Sequence, residues 1–324
     1  MAAVVGRPIA GAICEVLVII RVKREIKGVA GKPSTNFIPM LPERLSTDLT
    51  SLNYHEYRPA MIIEMVIGAG GVMQGSKIYR ARVRNQAKLA YNSVAAWLDA
   101  KGPMPAAVAA VPGLAENLRL QDRVAQQLKA LRHEHGALGL QTLEARPVFA
   151  GDEIRDLQAD EPNRAKEIIE DFMIAANGVT ARFLYDKEAA SLRRMVRSPK
   201  RWDRIVEIAA QHKFKLPVQP DSKSLERFLT AQKAADPLRF PDLSLAVIKL
   251  LGPGEYVVEA PGEASPGHFG LAVRDYTHST GAHLPASDIG PTALRDLRRR
   301  RGPPADSAAC AHGVDKGYID FKKI

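Results

Sequence analysis

The stretch RAKEIIEDFMIAANGVTARFLY at residues 164–185 carries the strongest helical pattern of this sequence. Its apolar side chains recur every three or four positions and form one stripe: Ile168, Ile169, Phe172, Met173, Ala176, Val179 and Phe183. Such a stripe predicts a long amphipathic helix that buries one face against a core. Three acidic residues of the stretch are spaced to share another face: Glu167, Glu170 and Asp171.

Upstream of this helix the pattern changes to that of a β-hairpin. The run AMIIEMVIG at 60–68 is apolar and rich in β-branched residues, and AGG at 69–71 supplies a turn. The next run, KIYRARVR at 77–84, alternates strictly between apolar and basic residues. Alternation in a strand places its arginines on one face: Arg80, Arg82 and Arg84.

The remaining patterns define the fold class. Helical spacing recurs at 114–134 and in shorter segments within 200–235, and EYVVE at 255–259 is typical of a strand. We therefore expect an α+β fold in which a mixed sheet packs against helices.

The net charge and the apolar segments limit the kinds of partner that this chain can have. The chain has 324 residues and a formal net charge of +10, which favours a polyanionic partner such as nucleic acid or an anionic membrane surface. The apolar run at 9–20 is shorter than the roughly 20 residues needed to span a bilayer. The larger basic cluster lies after this apolar run, whereas a signal peptide has its basic residues before the run. We expect a buried strand or helix there and no membrane partner.

The cysteine positions and the missing motifs limit which cofactors and which cellular compartment are expected. Cys14 and Cys310 stand far apart and outside any metal-binding pattern, which indicates a cytoplasmic protein without a disulfide framework. The sequence contains no phosphate-binding glycine motif, so no small-molecule cofactor is expected.

The character of the sequence changes after Thr280. Residues 281–312 are rich in Pro, Gly, Ala and Arg and have no helical or strand period. Such a segment cannot bury enough apolar surface to order itself, so we expect it to be of low order.

Four motifs in order resemble the ribonuclease II/R family. They are IPMLPERLSTDLTSLN at 38–53, IYRARVRNQAKLAYNSVAAWL at 78–98, EDFMIAANGVTARFL at 170–184 and HFGLAVRDYTHST at 268–280. The resemblance implies an incomplete RNB-type ribonuclease domain over 36–280, after a non-family segment at 1–35. It also implies that residues 313–324 are a remnant of a C-terminal OB-fold strand.

The function that this resemblance implies is degradation of RNA. Members are 3′-to-5′ exoribonucleases that hydrolyse single-stranded RNA to nucleoside 5′-monophosphates, and they use divalent metal ions, usually Mg²⁺. Single-stranded RNA is therefore the implied partner of this chain.

Two departures from the family pattern bear on activity. The family has an aspartate cluster upstream of the first motif, whereas residues 1–37 contain no aspartate and only Glu15 and Glu25 as acidic residues. The family also continues its last motif with an arginine pair, and here GAHLPASD follows instead. We expect a family member truncated at the N-terminus and disrupted after Thr280, with impaired or absent activity. Whether this chain is an enzyme stays open.

The candidate site residues are assigned to RNA rather than to metal. By charge or by resemblance, the RNA-binding candidates are Arg44, Arg80, Arg82, Arg84, His278 and Ser279. A merely solvated strand face explains the three strand arginines equally well, and His278 fits an ordinary surface histidine equally well. No metal ligand is assigned, because the acidic face at 167–171 is better explained by a solvated or ion-paired helix surface than by a substitute metal site. Asn177 is expected to make structural hydrogen bonds inside the fold.

The residues leave three functions open. The first is an exoribonuclease, the second a non-catalytic RNA-binding fragment, and the third a partner-binding protein that docks acidic proteins on its basic face. Salt-sensitive RNA binding separates the second from the third.

Overall fold

The computed structural model of this protein describes strands near the N-terminus and most of the region between residues 51 and 279. The described residues are 2–9, 13–20, 44, 48, 51–142, 145–150, 153–159, 163–260, 263 and 267–279. Their strands are β1 (Ala2–Ile9), β2 (Ile13–Ile20), β3 (Tyr57–Ile67), β4 (Met73–Arg84), β5 (Ala145–Ala150), β6 (Glu153–Ala159), β7 (Ser191–Met195) and β8 (Glu255–Glu259). Their helices are α1 (Tyr91–Leu98), α2 (Ala106–Ala109), α3 (Leu114–Glu134), α4 (Arg164–Asp186), α5 (Trp202–Gln211), α6 (Ser222–Ala235) and α7 (Phe240–Leu251).

An antiparallel sheet in the order β1-β2-β3-β4 is the largest sheet of the described region. The predicted hairpin is confirmed, because β3 and β4 pair on either side of a short 3-10 turn at Ala69–Gly71. Gly71 has a positive φ of 80°, and a Cβ there would lie 2.7 Å from the carbonyl oxygen of Gln127 in α3. Glycine is thus required where the turn meets that helix. Within the apolar run at 9–20, Ile13–Ile20 form β2, so the strand alternative is correct.

The long helix predicted over 164–185 is confirmed as α4. Asn163 caps it, since its side-chain oxygen accepts hydrogen bonds from the backbone N–H groups of Ala165 and Lys166. Its apolar stripe packs with the sheet and with α3 in one core: Ile63, Met65, Ile67, Val124, Ala125, Leu128, Ile168, Phe172, Ala176 and Val179. The assignment of Phe183 to the buried stripe is wrong, because this side chain is 38% exposed near the end of the helix.

A second core lies among α5, α6 and α7. Its buried centre includes Trp202, Ile205, Leu225, Phe228, Phe240 and Val247. The indole N–H of Trp202 donates to the carbonyl of Pro217 at 2.9 Å, so the buried polar edge of this ring is satisfied. The shorter helices predicted within 200–235 are confirmed as α5 and α6. Strands β7 and β8 pair as an antiparallel ribbon, which confirms the strand predicted at 255–259.

Several sequence predictions fall on residues beyond this description. The low-order segment at 281–312 and the OB-fold remnant at 313–324 lie outside the described residues, as does most of the motif at 38–53. Among the helices that are described, none combines the length and the apolar character needed to cross a bilayer.

Candidate functional site

The arginines of β4 share one face of the hairpin, as their alternation predicts, and the outer face is the exposed end of it that carries them. Arg80 and Arg82 are exposed, whereas the intervening Ala81 and Val83 are 8% and 2% exposed. Arg84 is half-buried at the end of the strand. Directly opposite these arginines, β3 contributes its own exposed residues to the same face: Tyr57, Pro59 and Met61.

Aromatic contacts hold two of these arginines. The guanidinium carbon of Arg82 lies 4.8 Å from the ring centroid of Tyr57, and that of Arg84 lies 5.5 Å from it. Arg84 also donates from Nε to the carbonyl of His55 at 3.1 Å. These contacts restrict the side chains without neutralising them, because an aromatic ring attracts a cation but carries no net charge.

Two acidic residues that precede β3 in the sequence already pair with an arginine. Arg58 pairs with Asp48 at 2.6 Å and also with Glu56. Its pKa is raised by the hydrogen bonds to Asp48 and Glu56. These two carboxylates share the one guanidinium of Arg58, so together with Arg80, Arg82 and Arg84 this end of the hairpin has four positive side chains against two negative ones.

A second polar cluster forms where the motif at 268–280 meets α4. The hydroxyl of Ser279 donates to Oδ1 of Asn177 at 2.7 Å, and Nδ2 of Asn177 donates to the hydroxyl of Tyr276 at 3.5 Å. Asn177 is 1% exposed, so the expectation that it makes structural hydrogen bonds is confirmed. Burial raises the pKa of Tyr276 above its ordinary value.

His278 belongs to the same cluster but faces β8. Its Nδ1 and the hydroxyl of Tyr256 share a hydrogen bond of 2.8 Å, and the two rings are nearly parallel. The guanidinium of Arg194 lies 4.6 Å from the centroid of the Tyr256 ring. The structure therefore joins His278 and Ser279 to the packing of α4 with the β7–β8 ribbon. Arg44, by contrast, is exposed.

His268 opens the last motif in a mostly buried position. Its Nδ1 accepts a hydrogen bond from the backbone N–H of Leu271 at 3.1 Å. Burial, and after it the positive charge of Arg194, lower its pKa to about 4. The imidazole is therefore neutral near pH 7 and caps the short 3-10 helix at Phe269–Leu271.

The acidic face of α4 is ion-paired. Asp171 is 2% exposed and pairs with Arg132 of α3, and Glu167 pairs with Lys129 of the same helix at 3.0 Å. Burial raises the pKa of Asp171 to about 6, although Arg132 opposes this rise. Glu170 is exposed. The ion-paired explanation of this face is correct for Glu167 and Asp171, which join helices α3 and α4.

The described residues do not fit a divalent metal ion. Within this part of the chain, no three His, Cys, Asp or Glu side chains come close enough together to hold one. Ions such as Mg²⁺ require several converging oxygen ligands, and the buried carboxylate of α4 faces a guanidinium instead. We derive no catalytic step through a metal from these residues.

Sequence reasoning missed a buried ion pair in the β7–β8 ribbon. Arg193 and Glu259 are joined at 2.7 Å, and their side chains are 1% and 8% exposed. Nε and Nη1 of Arg193 and Oε2 of Glu259 are buried and make no hydrogen bond. The alternation of SLRRM at 191–195 carries the signal, because it places Arg193 on the same face as the buried Ser191 and Met195.

Comparison with known proteins gives a family match. The model of the RNB domain matches residues 33–281. Exoribonuclease 2 of Salmonella paratyphi B is 36% identical over 152 residues, which are 46% of this chain and 23% of that protein. The chain thus spans about a quarter of the length of this curated relative.

Solved structures share the fold at low identity. RNase R of Mycoplasma genitalium, in complex with double-stranded RNA, superposes with a TM-score of 0.73 at 19% identity, over 92% of this chain and 57% of that one. Yeast Ssd1, a pseudonuclease, superposes with a TM-score of 0.63 at 13% identity, over 95% of this chain and 39% of that one. At these identities the likeness shows the fold alone. It bears out the expected α+β architecture of mixed sheet and helices.

Proposed function

This chain belongs to the RNB domain family, and from that premise we propose that it is the RNA-holding part of a ribonuclease II/R-type exoribonuclease. Single-stranded RNA is the proposed ligand. The proposed reaction of the whole protein is 3′-to-5′ hydrolysis to nucleoside 5′-monophosphates with Mg²⁺. In this chain, we propose that hydrolysis is impaired or lost while RNA binding remains.

The observation that carries the binding proposal is the row Arg80, Arg82 and Arg84. The three guanidinium groups share one strand face, Arg80 and Arg82 are exposed, and the ring of Tyr57 contacts both Arg82 and Arg84. Alternate residues of a strand are about 7 Å apart, so the row presents cations along a line. A phosphate backbone is a line of anions and gains affinity from each contact through counterion release. Two solved relatives are RNase R complexes with RNA, one double-stranded and one ribose-methylated single-stranded.

The proposal of impaired hydrolysis is supported by how the acidic residues of α4 are used. Metal-assisted hydrolysis of a phosphodiester needs carboxylates that converge on cations. Asp171 and Glu167 instead bind Arg132 and Lys129, and these pairs connect α3 to α4.

Two further assignments remain proposals. We propose that residues 36–280 are the nuclease-domain part of this chain and that 1–35 are not. We also propose the cytoplasm as its compartment, because Cys14 and Cys310 stand apart in the sequence and fit no disulfide framework.

The test of the binding proposal is the salt dependence of RNA affinity. Changing Arg80, Arg82 and Arg84 together to Ala should weaken binding of single-stranded RNA and reduce the slope of log K against log salt by about 2, at roughly 0.7 per phosphate contact. Fluorescence anisotropy with a labelled oligoribonucleotide between 50 and about 200 mM salt measures both quantities.

A matched control makes this test specific. Arg204, Arg227 and Arg239 are also exposed, and each contacts a neighbour on its own helix or turn: Glu207, Ser224 and Asp236. Changing these three to Ala removes the same formal charge and should leave the slope nearly unchanged. Equal losses in the two triple variants would mean that net charge, not the row on β4, attracts the RNA. Binding of acidic peptides in preference to RNA would favour a protein partner instead.

A further inference from the structure

We propose that the stacked side chains of Tyr54 and His55 form a nucleobase-stacking site at the end of the arginine row. This inference rests on the proposed RNA-binding function and deepens it. It assigns the phosphates of the strand to Arg80, Arg82 and Arg84 and assigns one base to the exposed ring of Tyr54.

The two rings form a platform at the protein surface. Their centroids lie 3.9 Å apart at an angle of 21° between the ring planes. Tyr54 remains 56% exposed in this arrangement, and His55 is exposed as well. One face of the tyrosine ring is therefore covered by the imidazole, while more than half of the side chain is open to solvent.

The backbone fixes this platform beside Arg84. The N–H of His55 donates to the carbonyl of Asn85 at 2.9 Å, and the carbonyl of His55 accepts from Nε of Arg84 at 3.1 Å. Nδ2 of Asn85 donates to the carbonyl of Leu52 at 2.9 Å, and Tyr54 and Asn85 form a β-bridge. The segment before β3 is thus tied to the end of β4, where the arginine row ends.

His55 is held in a conformation that side-chain-bearing residues rarely adopt. Its φ is 60°, in the left-handed region, which costs on the order of 1 kcal/mol or more for a residue with a Cβ. The hydrogen bonds to Asn85 and Arg84 maintain this conformation and place the imidazole against Tyr54. A preorganised pair of rings loses little conformational freedom when a ligand stacks on it.

The neighbouring aromatic residue has a different contact. The ring of Tyr57 already has the guanidinium groups of Arg82 and Arg84 at 4.8 and 5.5 Å. Tyr57 therefore positions the cations, and Tyr54 is the ring that meets a base. Every base has a π-face, so stacking on tyrosine tolerates sequence, whereas the adjacent cations supply the attraction to the backbone.

The experiment compares two labelled ligands of equal length and charge, oligouridylate and an abasic strand with the same phosphates. Tyr54→Ala should weaken binding of oligouridylate by about 5- to 150-fold, the range found when one stacking ring is removed. The abasic strand should bind the variant and the wild type equally, and the salt slope should not change, because no cation is lost. Tyr54→Phe should bind oligouridylate like the wild type, since it keeps the ring.

A second exposed tyrosine supplies the control. Tyr185 is 49% exposed near the end of α4, so Tyr185→Ala makes the same change in chemistry away from the platform and should leave affinity unchanged. Wild-type affinity in Tyr54→Ala, an equal loss for the abasic strand, or a loss in Tyr54→Phe as large as in Tyr54→Ala would each overturn the inference. Polyglutamate that displaces the RNA as well as oligouridylate does would also overturn it, in favour of an acidic protein partner. A wild-type chain that binds no RNA would overturn the proposed function together with this inference.

Discussion

The outer face of the β3–β4 hairpin and the packing of α4 against its neighbours use the same kinds of side chain in opposite ways. On the hairpin, Arg80 and Arg82 are exposed, and the guanidinium of Arg82 contacts the aromatic ring of Tyr57. Around α4 and the β7–β8 ribbon, Arg132 and Arg193 are largely shielded from solvent and each binds a buried carboxylate. The first arrangement presents guanidinium groups at the surface, and in the second the guanidinium groups bind buried carboxylates and hold elements together.

This difference explains why charge content alone does not locate a site. The motif EDFMIAAN at 170–177 begins with two adjacent acidic residues, which suit a metal site as far as composition goes. Its aspartate nevertheless lies against a guanidinium of α3, where it stabilises packing. A buried ion pair costs desolvation of both charges, so removing one partner leaves the other uncompensated. The comparison therefore predicts large stability effects in the second region and large binding effects in the first.

The largest expected effect on stability comes from the β7–β8 ribbon. Arg193→Ala should lower the free energy of unfolding by about 3–5 kcal/mol, because it leaves Glu259 as an unpaired buried charge. Arg197→Ala is the matched control, since Arg197 pairs with Glu255 of the same ribbon at 3.1 Å but is 54% exposed. It should cost about 0–1 kcal/mol. Urea unfolding followed by circular dichroism measures both, and similar losses in the two variants would erase the distinction between buried and exposed pairs.

A smaller effect should appear in the pH dependence of stability. Burial raises the pKa of Asp171 to about 6 in the folded protein, from an ordinary value of 3.8. Because the folded-state pKa is the higher one, the contribution of this group to stability is full below about pH 4 and is lost as pH rises through about 6. Between pH 4.5 and 7.5, the wild type should lose about 1–3 kcal/mol relative to Asp171→Asn.

The measurement for Asp171 is a difference between two proteins, so other titrating groups cancel. Urea unfolding of the wild type and of Asp171→Asn at both pH values gives that difference directly. Parallel pH profiles, or a wild type that gains stability relative to the variant as pH rises, would contradict the assignment of this carboxylate to a buried, structural role.

Sequence patterns predicted the regular elements better than the partners of polar residues. The periodicity at 164–185 and the alternation at 77–84 are local, and both elements form as expected because each buries its apolar face. Phe183 departs from the stripe, since its side chain near the end of α4 is 38% exposed. The alternation of SLRRM indicates that Arg193 is buried but not what it binds, because its partner Glu259 is 66 positions away and is reached only when the chain folds back.

The same limit applies to the candidate site. The arginine row was predictable from the sequence because one strand contains all three residues, whereas the stack of Tyr54 on His55 depends on the unusual φ of His55. The cluster of Asn177 with Ser279 likewise requires the last motif to reach the middle of α4. Nothing in the spacing of these residues predicts that approach.

The most direct test of the account is an exonuclease assay in which binding and hydrolysis are measured on the same sample. Purified protein is incubated with 5′-labelled single-stranded RNA and Mg²⁺ or Mn²⁺, and anisotropy is recorded beside the release of nucleotides. The account predicts salt-sensitive binding that depends on Arg80, Arg82 and Arg84, with the RNA remaining at full length. Processive, metal-dependent shortening of the RNA from its 3′ end with release of nucleoside monophosphates would contradict it.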